Sequence, residues 1–382
     1  MDVYDYIIIG AGASGLMLAD ALGKDAFFND KKILLIDKDA KNTNDRTWCF
    51  WEEGTGAFDA ILYKKWETIH FAGKELSKNY TIAPYAYKMV KGIDFYTLYL
   101  EQIQSYSNIT FVQETVTKVD DQRNFVAVIT AGTTFKAKQV FNSIFDYKNA
   151  LQQKKYPVLQ QHFIGWFVKT EQNIFDEHIA TFMDFSILQK GNTRFMYVLP
   201  LSANEALVEY TLFSEQQLPK QEYEDAIKNY LEDQLKCSNY TITEKEQGSI
   251  PMTCYRFTEN NTATLLHIGM SGGWAKPSTG YTFLNTHKKT KALISYLKTG
   301  KPLDRFSKKD KFWFYDLLLL DVLYKNNHLG RSIFEALFKK RTPQAIFKFL
   351  DEKTNLWEDI RFIGAPKAIP FIKALIKRLF NM

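Results

Sequence analysis

Tyr4 to Ile9 is an unbroken apolar run of strand length, too short for a buried helix, and it reads as a buried parallel strand. Apolar positions then recur with helical spacing at Leu16, Leu18, Ala19 and Leu22, ahead of a second apolar run from Ile33 to Ile36. Residues 61–90 alternate aromatic and polar side chains, which predicts strands joined by turns, and residues 94–107 return to helical spacing. Segments 109–121, 124–132 and 133–146 read as three successive strands. A polar, basic stretch from Lys148 to Gln161 reads as a crossover. Beyond it, residues 162–170, 179–186, 193–202 and 206–214 alternate well and are rich in β-formers. An amphipathic helix follows at 219–236, then a short apolar strand from Leu265 to Ile268 running into glycines, and beyond Tyr281 the pattern turns helical.

These elements predict an α/β fold. A Rossmann-like dinucleotide-binding domain spans residues 1–150 and carries a strand-rich insertion. An interleaved β-rich substrate domain spans 151–260, the chain returns to the first domain at 261–290, and residues 291–382 form a helical C-terminal region. The 382 residues suffice for two or three packed regions. Aromatics make up 15% of the chain, with 30 Phe and 21 Tyr, which fits either a Phe-rich core or an aromatic-lined cavity or membrane contact. The formal charge of +6 is modest, and no basic stripe with interleaved aromatics supports nucleic-acid binding. Cys49, Cys237 and Cys254 lie far apart without a C-x-x-C, so neither a metal site nor a disulfide framework is expected, in keeping with a cytoplasmic protein. No leader pattern and no apolar span of about 20 residues is present.

The chemistry starts at the first strand. Gly10, Gly12 and Gly15 follow it in G-x-G-x-x-G spacing, and the second strand ends in Asp37. Gly10 makes the tight turn, Gly12 lets a pyrophosphate approach the backbone, and Gly15 lets the helix pack on the strand. Asp37 is placed to accept from a ribose hydroxyl. Downstream, DRTWCFW at 45–51 puts Trp48, Phe50 and Trp51 behind Arg46. This cluster is either a loop pinned to the core or, in a two-dinucleotide-fold protein, a segment facing the flavin.

Four further motifs stand in a particular order: MDFS (183–186) with YVLPLS (197–202), LVEYT (207–211), EQGSIP (246–251) and GGWAKPSTGYT (272–282). With DRTWCFW, their order and spacing resemble the flavoprotein-type lycopene cyclases, specifically the bacterial lycopene β-cyclases, up to about residue 290. The resemblance implies that Glu209 is the catalytic acid. Its apolar neighbours Ala206, Leu207, Val208 and Tyr210 agree, because burial keeps a carboxyl protonated to higher pH. The alternative for Glu209 is a strand acid facing solvent. The resemblance further implies FAD, active in its reduced form, bound by Gly10, Gly12, Gly15, Asp37 and Arg46 and by the turn carrying Pro277, Thr279 and Gly280. NAD(P)H would serve only as reductant. Trp48, Trp51, Trp274 and Tyr281 are candidates to line a hydrocarbon tunnel, and Glu244 and Glu246 read as structural or supporting residues.

The implied reaction is the redox-neutral closure of the acyclic ψ-ends of lycopene to β-ionone rings, in carotenoid biosynthesis. The rival is an FAD-dependent monooxygenase or dehydrogenase acting on an apolar substrate. Many such enzymes have Gly-Asp where this chain reads Gly269-Met270-Ser271-Gly272, as the cyclases also do. A water-insoluble polyene must be collected from lipid, so a peripheral position on the inner face of the cytoplasmic membrane is expected. PFIKALIKRLF near the C-terminus supplies the candidate: Phe371, Ile372, Leu375, Ile376, Leu379 and Phe380 on one face, with Lys373, Lys377 and Arg378 on the other.

Overall fold

A computed structural model describes residues 3–122, 124–306 and 310–380. Two compact units share the chain. One gathers Met1–Trp48, Lys91–Tyr156 and Cys254–Asp310; the other gathers Cys49–Val90, Pro157–Thr253 and Lys311–Met382.

In the first unit the strand Val3–Ile9 lies at the centre of a seven-stranded sheet. It pairs in parallel with Ile33–Asp37 on one side and Thr134–Asn142 on the other. Ile109–Gln113 extends the parallel set beyond Ile33–Asp37. The strand Leu265–His267 runs parallel beside the end of Thr134–Asn142. Val126–Thr130 and Val116–Asp121 continue the sheet antiparallel. Ile7, Ile8 and Ile9 are all buried, as expected of a strand covered on both faces. This parallel arrangement aligns the C-terminal ends of Val3–Ile9, Thr134–Asn142 and Leu265–His267, where ligands bind in open α/β sheets.

The second unit is built on another seven-stranded sheet. Its order is Tyr240–Thr253, Val158–Thr170, Glu205–Ser214, Thr193–Ser202, Ile179–Asp184, Thr68–Ala72 and Ser77–Thr81. Ile164, Trp166, Val168, Met196, Val198, Val208, Tyr210 and Leu212 point to one face. There they pack against Tyr223 and Ile227 of the helix Lys220–Asn229 and Tyr230 and Leu231 just after it. Strand alternation therefore sends Gly165, Tyr197, Glu209 and Thr211 to the opposite face.

Two expectations differ from this arrangement. The strand-rich segment 49–90 does not belong with residues 1–150, because Thr68–Ala72 pairs in parallel with Ile179–Asp184 and completes the second sheet. The C-terminal helices are not a region of their own either. Residues 291–310 pack with the first unit and Lys311–Met382 with the second. The last helix, Ala368–Leu379, also divides its apolar residues. Phe371 and Leu375 are half-buried, whereas Ile369, Ile372, Ile376, Leu379 and Phe380 are exposed. Arg378 leaves the solvated basic face and makes a two-pronged ion pair with Asp321 at 2.6 and 2.7 Å, fixing the helix to Lys311–Lys325.

Candidate active site

The first unit holds the glycine-rich turn. Gly10 has φ +94°, and a Cβ there would fall 2.1 Å from Ser143 Oγ. A Cβ at Gly15 would fall 1.8 Å from the Gly10 carbonyl oxygen. Both glycines are steric requirements of the fold itself. Gly12 is different: a Cβ there meets nothing within 4 Å. It opens onto free space at the start of the helix Ala13–Lys24, whose first turn has no side-chain cap and no acidic residue. Unpaired amides at a helix start, with an open cradle above them, suit a pyrophosphate.

Asp37 has a local task in addition to the one expected from sequence. Its carboxylate accepts the Ala11 N–H at 2.5 Å and the Asp39 N–H at 2.8 Å, tying the glycine turn to the end of the second strand. Each oxygen keeps a lone pair for a further donor. Arg46 is held by Asp45 at 2.7 and 3.1 Å, and Asp45 also accepts from Tyr96 Oη at 2.7 Å. The Gly269 turn abuts the same helix start, since a Cβ at Gly269 would lie 2.6 Å from Ser14 Oγ. Further on, the N–H groups of Thr279 and Gly280 both return to the Lys276 carbonyl, at 3.2 and 2.8 Å. With Pro277, this turn leads into the helix Phe283–Leu297, which also starts without a side-chain cap or an acid.

The four aromatics proposed for a tunnel are placed differently from one another. Trp48 stacks on Phe283 at 5.0 Å and meets Phe95 and Tyr96 edge-on within the first unit. Trp274 is buried there, with Gly272 leaving room for its Nε1, and Tyr281 is half-buried. Trp51 belongs to the second unit, stacks flat on Phe347 at 4.9 Å and donates from Nε1 to Asp351 at 3.1 Å. Trp48 and Trp51 are thus packing residues in separate units.

Glu209 lies in the second unit, at the middle of Glu205–Ser214, a strand hydrogen-bonded on both sides. It is 7% exposed, which rules out the solvent-facing alternative. Its register partners are Gly165 and Tyr197. Thr211 Oγ1 donates a short hydrogen bond to Glu209 Oε1. Burial above all, and then the charge of Glu246, push the carboxyl up to about 8, against the opposing pull of the Thr211 bond. Tyr197 Oη lies 2.5 Å from Tyr87 Oη, and the half-buried Cys49 thiol bonds Tyr197. Burial pushes that thiol up as well. The face therefore gathers a buried carboxyl with a thiol and hydroxyls, and no cation among the described residues acts on Glu209. Tyr87, Cys49 and Tyr197 were not singled out from the sequence as site residues; the period-two alternation of YVLPLS would have put Tyr197 on this face once its strand was paired with that of Glu209.

A profile of the family described as "Lycopene cyclase protein" matches residues 5–375. The chain belongs to the lycopene cyclase family. A lycopene β-cyclase of Paracoccus sp. is 23% identical over 288 residues, covering 73% of this chain and 70% of that protein. Among solved structures, a flavoprotein/dehydrogenase from Cytophaga hutchinsonii superposes with TM-score 0.63 at 11% identity, over 100% of both chains. A halogenase mutant solved in complex with FAD gives TM-score 0.58 at 9% identity, over 100% of this chain and 84% of that one. These structural likenesses establish the fold: that of Rossmann-type flavoenzymes.

The environment of Glu209 makes stability depend on pH. Its folded value is above its unfolded one, so its contribution is fully present below about 4.5 and is lost as pH rises through about 8. The slope is roughly 1 kcal/mol per pH unit between those limits. Glu209→Gln removes it, so the variant's gain over the parent in urea unfolding should grow from pH 5 to pH 8.5. A gain that stays constant over that range would contradict the buried, neutral carboxyl.

Proposed function

We propose that this protein is a lycopene β-cyclase that converts the acyclic ψ-ends of lycopene to β-ionone rings, yielding β-carotene by way of γ-carotene. The observation that carries the reading is Glu209: a buried carboxyl whose partners are a hydroxyl and another acid, not a cation. Such a group stays protonated at neutral pH and can donate to an alkene. Glu209 delivers its proton to the terminal double bond, leaving a tertiary cation on the substrate. The neighbouring double bond attacks that cation and closes a six-membered ring, and loss of a ring proton sets the final double bond. Thr211 orients the donor oxygen. Burial of the Glu209 side chain limits the access of water, which would otherwise capture the cation.

FAD fits the first unit on the evidence of the open cradle at Gly12 and the uncapped helix start beneath it. Gly10, Gly12 and Gly15 would carry its pyrophosphate and Asp37 its ribose, with Arg46, Pro277, Thr279 and Gly280 as further contacts. When bound and kept reduced by NAD(P)H, the flavin would supply an electron-rich ring system of the kind that favours positive charge.

The substrate dissolves in lipid, and the C-terminal helices supply the surface we assign to membrane contact. Leu356, Trp357 and Ile360 of the helix Leu356–Ile363 are exposed, Trp357 at 78%, as are Ile369, Ile372, Ile376 and Leu379 of Ala368–Leu379. Lys373 and Lys377 lie exposed alongside and match an anionic headgroup layer. No helix among the described residues is long and apolar enough to cross a bilayer, so the contact proposed is peripheral.

Three outcomes test this reading. With reduced FAD and lycopene-loaded vesicles, the enzyme should form a cyclic product of unchanged mass, and Glu209→Gln should lose at least about 100-fold in rate. A product heavier by oxygen or poorer in hydrogen would instead favour a monooxygenase or dehydrogenase. Gly12→Val should leave the melting temperature of the flavin-free protein within about 1 °C, because its side chain meets no protein atom, yet weaken FAD binding at least about tenfold by equilibrium titration. Wild-type affinity in that variant would move the pyrophosphate elsewhere. Replacing Ile372 and Ile376 together by Ser should weaken flotation with anionic vesicles at least about tenfold; unchanged flotation would remove these helices from the membrane contact.

A further inference from the structure

The strand Tyr240–Thr253, whose acids read as supporting residues from sequence, contributes directly to the face that carries Glu209. In the register of this sheet Gly165 pairs with Glu209 on one side and with Glu246 on the other. Lys245, the residue before Glu246, places Nζ 5.0 Å over the Trp166 ring, on the face covered by the helix Lys220–Asn229. Alternation therefore turns Glu246 to the opposite face, the one shared by Gly165 and Glu209. A Cβ built on Gly165 would lie 3.2 Å from Glu246 Cγ, 3.6 Å from Glu209 Cβ and 2.9 Å from Leu207 Cδ1. The missing methyl thus leaves a notch that the protein's own side chains fill, an acid approaching from each side and Leu207 between them. Glycine in the interior of a strand is unfavourable, and its usual reason is a close approach by another group, here the Leu207 methyl and the Glu246 side chain.

We propose that Glu246, aligned with Glu209 across the notch at Gly165, is the base that takes the proton released from the ring cation. This rests on the donor role proposed above for Glu209. The proton balance closes within the pair. Glu209 gives its proton to the terminal alkene carbon, whose π electrons form the new C–H bond, and becomes a carboxylate. After ring closure, a C–H bond beside the cationic carbon breaks, its electron pair becomes the ring double bond, and Glu246 takes the proton. The two acids hold one proton between them before and after the reaction. Transfer of that proton from Glu246 back to Glu209 restores the starting state, and no oxidant or reductant is consumed.

The electrostatics agree. Two carboxyls flanking one notch disfavour double ionisation, and the more deeply buried one keeps the proton. Glu209 is the fully buried member and Glu246 the half-buried one, and the charge of Glu246 adds to the upward shift of Glu209. Among the described residues the other titratable groups around Glu209 are Tyr197 on the neighbouring strand, Cys49 of the strand Thr47–Glu53, Tyr87 of the strand Tyr85–Lys91, and Glu244 two residues along from Glu246.

The test uses FAD-loaded, reduced enzyme with lycopene vesicles in D2O. Glu246→Gln is expected to lower kcat by about 100-fold or more with KM within about twofold. In D2O each ring the wild type closes should carry one deuterium, delivered from Glu209. Glu246→Asp, which keeps the carboxylate, should recover part of the rate. Recovered lycopene from Glu209→Gln should carry no label. In the wild type, kcat/KM should be bell-shaped in pH, since one acid must be protonated while the other is ionised. An active Glu209→Gln overturns the cyclase mechanism itself. An inactive Glu209→Gln beside a Glu246→Gln within about threefold of wild type overturns only the base assignment. So does a wild-type profile that falls on the alkaline side alone, a result that requires no variant to fold.

Discussion

An ionised carboxylate is strongly disfavoured where Glu209 sits. The strand that carries it is hydrogen-bonded on both edges, its side chain is buried, and the groups that act on it are a threonine hydroxyl and a second acid. A buried carboxylate beside a guanidinium would be pulled in the other direction and would be of no use as a proton donor at neutral pH. Here the Thr211 hydroxyl relieves the charge only in part, burial and Glu246 outweigh it, and the group remains an acid. The antiparallel sheet therefore acts as an electrostatic device as well as a scaffold. It holds a proton at a defined position in surroundings that a hydrocarbon can share.

The first unit solves a different physical problem, making room for an anion against a packed backbone. Gly10 and Gly15 are demanded by the protein's own close contacts with Ser143 and with each other. Gly12 alone opens outward, onto amides that no side chain caps. The carboxylate of Asp37 then fixes the turn by accepting the Ala11 N–H. The three glycines of one motif thus divide into two that build the turn and one that leaves it accessible. Gly165 in the second unit is of the first kind, needed because Leu207 and Glu246 approach the backbone where a side chain would stand.

Burial is incomplete in one region, and the pattern there is informative. A globular helix normally turns its apolar stripe inward. In Ala368–Leu379 the inward residues are Phe371 and Leu375, while several isoleucines and leucines remain outside and Arg378 is spent on Asp321. The helix is docked by an ion pair and keeps much of its apolar surface uncovered. These uncovered apolar side chains, with lysines beside them, are what the proposed membrane contact rests on.

The local periodicity of this chain was enough to determine many of its elements, though not the strands Thr47–Glu53 and Tyr240–Thr253, to which no element was assigned. The parallel strand at Tyr4–Ile9, the helix after the glycines, the alternating strands of the second sheet and the helical C-terminal third all depend on contacts within a few residues, and all stand where the pattern puts them. The glycine spacing and the apolar setting of Glu209 were readable for the same reason. What only the tertiary structure decided was pairing between distant segments. Residues 68–72 find their partner more than a hundred positions later, so a segment that looks like an insertion in the first domain completes the second sheet. Glu246 faces Glu209 because both register on Gly165, and Trp48 and Trp51, on one strand, fall in different units because the boundary lies between Trp48 and Cys49. Strand register and burial are set by which surfaces can exclude water together, and no window along the chain contains that information.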